Sequence, residues 1–251
     1  MRLTLELGYD GILSLPIQYN YQVQGFLYGN ITDELGAFLH DEGFVYGKRR
    51  FKMFTFSRLR GEYELRGDRI EFRSPPVRLT ISSPYGRFIE EFANTLLRNA
   101  ELELGGHRIH VCSIRVHPEP EIGEEVEVKT LSPVVVYSTV HTKEGKKKTY
   151  YYSPYETEFE DLVDKNLRKK YEAFFGKPAR ARKLKMEPIK RPVEKIVKYR
   201  ETVIKGWMGR FVLKGNRKLL KLGYECGIGS KNSQGFGMVE VVDDGRRVEL
   251  G

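Results

Sequence analysis

The chain has no cysteine framework. Cys112 and Cys226 are its only cysteines in 251 residues, too few and too far apart for a disulfide scaffold or a thiolate metal site, and both are expected as reduced thiols in the cytoplasm. No apolar run approaches the ~18 residues of a membrane span, so no membrane partner is expected. The opening residues, Met1 to Gly11, alternate charges with leucines and lack the apolar centre of a signal peptide. There are five histidines. His107 and His110 stand three apart, but no carboxylate or cysteine arrangement completes a metal site around them. No catalytic metal and no cofactor are expected. Asp243 and Asp244 read as a turn near the C-terminus.

Two familiar phosphate loops are also missing. A Walker loop ends in Gly-Lys-Ser/Thr and enters a helix, and a dinucleotide fingerprint runs strand, glycines, helix. The only comparable segment here, Gly227 to Gly237, has Lys231 in mid-loop and Asn232 where a third glycine would fall, and a strand-like run follows it. The strand signature of RNA-recognition modules fits in part. Gln234 to Val241 supplies its glycines, Phe236 and Val239, but Met238 and Val241 occupy the positions of the stacking aromatics. Without flat π-faces there, the usual sheet-face platform for bases is not expected.

What the chain does have is positive charge in one place. The net charge is +9, and 31% of residues are charged, above the ~25% of an ordinary globular domain. Between Lys143 and Lys221 there are 24 Lys/Arg against 10 Asp/Glu, while the rest of the chain carries 19 against 24. Clusters fall at Lys146 to Lys148, Arg168 to Lys170, Arg180 to Lys185 and Lys190-Arg191. One such cluster is ordinary solvated surface; several in one half of a chain form a polyanion footprint. No segment joins them to an exposed Trp/Phe/Leu face, which argues against a membrane-surface helix.

Downstream of that basic half lies the glycine segment. Gly227/Gly229 and Gly235/Gly237 bracket Ser230 to Gln234, and glycines at this density permit positive φ and close approach of a backbone or a phosphate. Loop N–H groups with Ser230, Lys231 and Asn232 are therefore candidates for holding phosphates or base edges. On this reading, valine at Gly229 or Gly235 weakens binding without unfolding the chain.

The pattern along the chain predicts an α+β fold of two tandem ferredoxin-like (βαββαβ, RRM-like) domains, residues 1–120 and 121–251, with the glycine-rich loop near the C-terminus. Leu3, Leu5 and Leu7 alternate as a strand. Helices are expected from about Pro16 and over Asp33 to His40, then an alternating strand over Phe51 to Ser57 with Lys52 on the face opposite Phe51, Met53 and Thr55. A strand over Val77 to Ile81 follows. Ser83-Pro84 predicts a helix start, with Phe88, Phe92, Leu96 and Leu97 as its apolar face, and His110 to Val116 closes the unit. His117 to Pro120 reads as a linker. The pattern then restarts with Val126 and Val128, a strand over Val134 to Tyr137, a basic hairpin tip at Lys143 to Lys148, and a helix over Glu156 to Phe175. Strands at Leu184 to Pro188, Lys195 to Lys205 and Met208 to Leu213, a helix over Asn216 to Cys226 and a last strand over Phe236 to Val242 complete it. A groove between two such halves is a natural ligand site.

The segment Gly223 to Gly237, Gly-Tyr-Glu-Cys-Gly-Ile-Gly-Ser-Lys-Asn-Ser-Gln-Gly-Phe-Gly, resembles the C-terminal signature of the RAMP superfamily of CRISPR-associated proteins. With Gln24 to Tyr28, Leu39-His40 and Phe51 to Phe56, the whole chain resembles the endoribonuclease family that cuts precursor CRISPR RNA inside each repeat. Archaeal members carry a catalytic tyrosine, histidine and lysine in those phrases. By the resemblance, they fall here on Tyr28, His40 and Lys52.

These residue types suit metal-free RNA cleavage, in which the 2′-hydroxyl attacks its adjacent phosphate and leaves a cyclic phosphate and a 5′-hydroxyl. Histidine's ordinary pKa near ~6.5 suits proton transfer at neutrality. A tyrosine can act as its partner, and a lysine places a point charge at the phosphate oxygens. The reading gives His40 the main acid/base role, Tyr28 the partner role and Lys52 the electrostatic role, with Lys48, Arg49 and Arg50 gripping phosphates near the cut. The resemblance also carries two alternatives, a non-cutting repeat-RNA binder and a structural subunit of a CRISPR effector complex. It leaves other effector subunits and a second copy of the chain open as partners besides the repeat RNA.

Overall fold

The computed structural model describes residues 1–99, 101–141, 145–180 and 182–242. Part of the expected basic tip and the Asp243-Asp244 turn lie outside these residues. Two antiparallel sheets with the same strand order carry the fold. In the first half, β1 (Arg2–Gly8), β2 (Thr55–Phe56), β3 (Val77–Ser82) and β4 (His107–Val116) are ordered β2-β3-β1-β4, and a short strand, Leu102–Leu104, extends the β4 edge. In the second half, β5 (Glu125–Thr130), β6 (Lys185–Pro188), β7 (Arg210–Lys214) and β8 (Val239–Val241) repeat that order as β6-β7-β5-β8. Each sheet carries two helices, α1 (Asn20–Tyr28) and α2 (Gly86–Arg98) on the first, α3 (Thr157–Phe175) and α4 (Arg217–Cys226) on the second. This is the tandem ferredoxin-like arrangement. Residues 117–124 between the sheets carry no helix or strand. No helix among the described residues is long and apolar enough to cross a membrane.

The period-two and period-3.6 patterns explain the packing. Leu3, Leu5 and Leu7 are fully buried on one face of β1. They meet Phe88, Ile89, Phe92 and Leu96 of α2, spaced three and four apart on one helix face. The second core gathers Phe159, Val163 and Leu167 of α3 with Leu219, Leu220 and Leu222 of α4. A third, smaller cluster of Val135, Val197, Tyr199, Ile204 and Phe236 lies beneath the second-half hairpins.

Several elements differ from the pattern. Pro16 ends a strand, Leu13–Pro16, that pairs with Arg69–Phe72, so α1 starts only at Asn20. Ser83 does not cap a helix at its own position. Its hydroxyl donates to Met53 O at 2.6 Å and accepts from Tyr85 N, so α2 starts at Gly86. Leu97 turns outward, 73% exposed, beside the buried Leu96. The run from Phe51 to Ser57 is not one strand. Arg49–Phe51 pairs with Phe44–Tyr46, Met53 takes φ 55, and only Thr55–Phe56 joins the sheet. The break sends Met53 into the second half's core, so Lys52 does not lie on the back of a regular strand. Lys195 to Lys205 is a hairpin, Val193–Tyr199 with Thr202–Met208, reversed at Arg200 (φ 51). Only the last residue of Val134 to Tyr137 joins a strand, Tyr137–His141, which pairs with Lys147–Tyr151.

Candidate active site

His40 sits on a widened helical turn. Thr32 caps the short helix Asp33–Ala37, its hydroxyl accepting from Leu35 N. The turn then opens into a π-helical segment, Phe38–Glu42, a geometry found often at functional sites. Gly43 (φ 62) ends it, and a side chain is excluded there because a Cβ would lie 2.7 Å from Phe51 O. The His40 and Asp41 side chains are largely exposed, and His40 Nδ1 lies 2.6 Å from Asp41 Oδ1. That hydrogen bond holds the Asp41 carboxyl below the usual carboxylate range. A carboxylate only accepts, so the proton of this hydrogen bond is on Nδ1.

The hairpin Phe44–Tyr46/Arg49–Phe51 then brings cations back to this turn. Its reversal at Gly47 (φ 55) places Lys48 at the tip. Arg50 donates to Asp41 O, and Lys52 Nζ donates to His40 O. Partial burial pulls the Lys52 ammonium pKa down; Asp41 opposes this and Arg50 adds to it. Tyr28 closes α1, its ring edge-on to Phe54 at 5.9 Å. Burial, with Tyr199 nearby, pushes its phenol pKa up to about 12.

A cleft of about 300 Å³ opens between the two halves. Arg49, Arg50, Lys52 and Phe54 line one wall; Tyr137, Asn166, Lys170, Gly229, Ser230, Lys231 and Asn232 line the other. The expected Arg49, Arg50, Lys52, Gly229, Ser230, Lys231 and Asn232 therefore meet at one place. Tyr28 and His40 do not line the cleft; Tyr28 reaches it through Phe54, His40 through Lys52. Lys48, Gly227, Gly235 and Gly237 lie outside its walls.

The glycine segment is held by an element the sequence reading passed over. Lys170, counted there within a basic cluster, is buried. Its Nζ donates to Gly227 O (2.8 Å), Gly229 O (2.9 Å) and Asn232 Oδ1 (2.6 Å), using all three ammonium donors. Asn232 Nδ2 in turn donates to Ile228 O and Phe236 O. The amides of Ile228, Ser230, Gln234, Gly235 and Gly237 are bonded to Gly237 O, Val135 O, Lys231 O, Asn232 O and Pro133 O. These amides are therefore spent inside the fold rather than aimed at a ligand. The polar side chains the loop turns to the cleft include Ser230, Lys231 and Ser233, with Lys231 Nζ 5.3 Å from the Tyr137 ring centroid. A signal for Lys170 was present in the sequence: it falls three residues after Leu167 and seven after Val163, on the buried stripe of α3. Asp41 was missed as well, although it adjoins His40. Arg168 is likewise structural, its guanidinium bonded to Asp164, Ala179 O and Arg182 O.

The glycine loop also joins the halves. Asn20 and Gln24 of α1 donate to Gln234 O (2.7 Å) and Ser233 O (2.6 Å), and Thr55 Oγ1 donates to Phe236 O. Among the described residues neither open sheet face offers stacked aromatics. Arg78–Glu6 occupies the first, and Arg210–Glu127, Lys129–Glu240 and Lys214–Glu125 lace the second. Among the described residues no group of His, Cys, Asp and Glu could hold a metal ion.

Comparison with known proteins agrees with the tandem fold. Residues 14–115 match the model of the CRISPR-associated protein Cas6 N-terminal domain, and residues 117–241 match that of the Cas6 C-terminal domain. The chain is 34% identical to the CRISPR-associated endoribonuclease Cas6 1 of Methanocaldococcus jannaschii, over 97% of this chain and 94% of that protein. A solved structure described as CRISPR associated protein Cas6 superposes with a TM-score of 0.78 at 31% identity, covering 97% of this chain and 99% of that one. A RAMP protein described as binding different RNA substrates superposes at 0.82 and 26% identity, covering 97% and 100%.

Proposed function

This chain belongs to the Cas6 family of CRISPR-associated proteins, and from that premise we propose that it is a cytoplasmic endoribonuclease that cuts precursor CRISPR RNA within its repeats by metal-independent transesterification. The observation that carries the chemistry is the His40–Asp41 pair beside Lys52. With Nδ1 engaged by Asp41, His40 Nε2 is the group free to take the 2′-hydroxyl proton. The 2′ oxygen then bonds to phosphorus and the bond to the 5′ oxygen breaks, leaving a 2′,3′-cyclic phosphate. Tyr28, held protonated up to about pH 12, is suited to donating to the departing alkoxide rather than to acting as the base. The proton on His40 returns to Tyr28 through solvent, and both groups are restored.

Lys52 supplies positive charge to the crowded phosphate. One of its three donors is on His40 O, which leaves two for phosphate oxygens. Arg49, Arg50 and Lys231 line the same cleft and neutralise the flanking backbone. Lys48, at the hairpin tip, extends that positive edge. Gly227, Gly229, Asn232, Gly235 and Gly237 serve binding indirectly, by holding Ser230 and Lys231 at the wall.

The test is a cleavage assay on the host's repeat RNA in EDTA, wild type beside His40→Ala. We expect one cut ending in a cyclic phosphate, slowed about 10²- to 10⁴-fold in the variant. A loss below about threefold would remove His40 from the chemistry. Tight binding with no cut by the wild type would point instead to a non-cutting RNA binder or an effector scaffold.

A further inference from the structure

The cleft does not end at Tyr137. That residue lines its wall and also opens the strand Tyr137–His141, which pairs antiparallel with Lys147–Tyr151. Directly opposed residues share a face, and the face repeats every second residue. Tyr137 with Tyr151, Thr139 with Thr149, and His141 with Lys147 therefore form one continuous strip, about 13 Å long at the usual strand rise. Its base is fixed. The two tyrosine rings are 5.8 Å apart, and Tyr151 OH donates to Val203 O of the neighbouring hairpin at 3.1 Å. Beyond that pair, Thr139, His141, Lys147 and Thr149 are exposed. The inner part of the opposite face is engaged elsewhere, where Ser138 bonds Tyr152 and Tyr150 bonds Glu156, and Val140 and Lys148 lie exposed beyond it.

We infer that this strip is a second RNA-binding surface, which takes the unpaired strand where it leaves the cleft and carries it past Tyr137 toward Lys147. The inference rests on the reading of the cleft as an RNA site. A base stacked on Tyr137 would meet a ring already facing the Lys231 ammonium, and base–aromatic stacking tolerates any sequence because every base has a π-face. The hydroxyls of Thr139 and Thr149 give donors to phosphate or ribose midway, and Lys147 gives a charge at the far end. Continuity with the cleft and the sign of the charge select a nucleic-acid strand rather than an apolar partner.

The experiment uses the full chain and repeat RNA blocked by a 2′-deoxy nucleotide at its cut position. Affinity is measured by fluorescence anisotropy for the full repeat and for repeats shortened stepwise from each end. Trimming at one end is expected to weaken wild-type binding about tenfold in total. In H141A/K147E, whose changes lie on the exposed part of the hairpin, that length dependence should vanish while the shortest cleavable RNA is still cut at the wild-type rate. Lys147→Ala should lower the slope of log K against log salt by about 0.7. Tyr137→Leu should lose the same increment; because Tyr137 also packs on the core, the surface variants decide if it misfolds. Equal length dependence in wild type and H141A/K147E overturns the inference while leaving the nuclease reading intact. Failure of the wild type to cut unblocked repeat RNA overturns the nuclease reading instead.

Discussion

The pKa values of Lys52 and Tyr28 are shifted in opposite directions, and the difference assigns the alkaline side of the proposed reaction. In the proposed reaction Lys52 works as a cation, and its pKa lies below the ordinary lysine value because the ammonium is partly desolvated. Tyr28, the proposed proton donor, would work as a phenol, and its pKa is pushed up to about 12. Raising the pH therefore discharges Lys52 first. The cleavage rate should fall at a pH below the ~10.4 of a free lysine, and Lys52→Arg should move that fall to higher pH while keeping part of the activity. If Lys52→Arg leaves the alkaline limb in place, another group sets it. Tyr28→Phe should lower the rate without moving that limb. On the proposed mechanism Asp41 acts only by orienting His40, so Asp41→Ala should lower kcat about tenfold with KM little changed, as expected for loss of orientation. Equal losses in kcat and in RNA affinity would place Asp41 in binding instead.

The glycine segment shows how far local pattern reaches. Its turns were legible, because four glycines in eleven residues demand unusual φ, and all four take positive values. What the turns contain was not legible, since the spacing of an anion nest and that of a tightly packed loop are alike. A Cβ at Gly229 would lie 2.5 Å from Val135 O, and one at Gly235 2.4 Å from the Phe56 ring. The expectation that valine at either site weakens binding without unfolding is therefore revised. Gly229→Val should cost about 3 kcal/mol and lower Tm by about 10 °C, with RNA binding lost as a consequence. Lys170→Met should act alike. It leaves Gly227 O, Gly229 O and Asn232 Oδ1 without their donor, at about 3 kcal/mol, whereas Lys165→Met on the exposed side of α3 should stay within about 0.5 kcal/mol. Similar melting temperatures for the two lysine variants would remove Lys170 from the loop's support. Helix α3 itself was legible almost to the residue, because nineteen residues sample the 3.6 period many times. The break at Lys52 to Phe54 was not, because three residues of alternating pattern look the same whether or not the chain turns between them.

At the scale of the molecule, the repeated order of strands and helices was legible, but the way the two halves join was not. The residues that join them sit inside local patterns that already had an explanation. Arg2 alternates with leucines as an outward strand residue should, yet it is 4% exposed. Its guanidinium bonds Tyr224 O and Val239 O at 2.8 Å each and lies 3.6 Å from the Tyr224 ring. Burial lowers its pKa only to about 10, so it stays charged at neutrality. Met53 leaves the first sheet to complete the second half's core, and Arg58 N bonds Leu131 O. A cut at residue 120 would thus strip the second core of one side chain and expose a charged residue's buried partners. The two halves should unfold as one unit despite their separate sheets. Calorimetry should show a single transition whose calorimetric and van't Hoff enthalpies agree, and Arg2→Met should lower it as a whole. Two resolved transitions, with only one moved by Arg2→Met, would mean that each half is stable without the other and that the cleft between them is free to open.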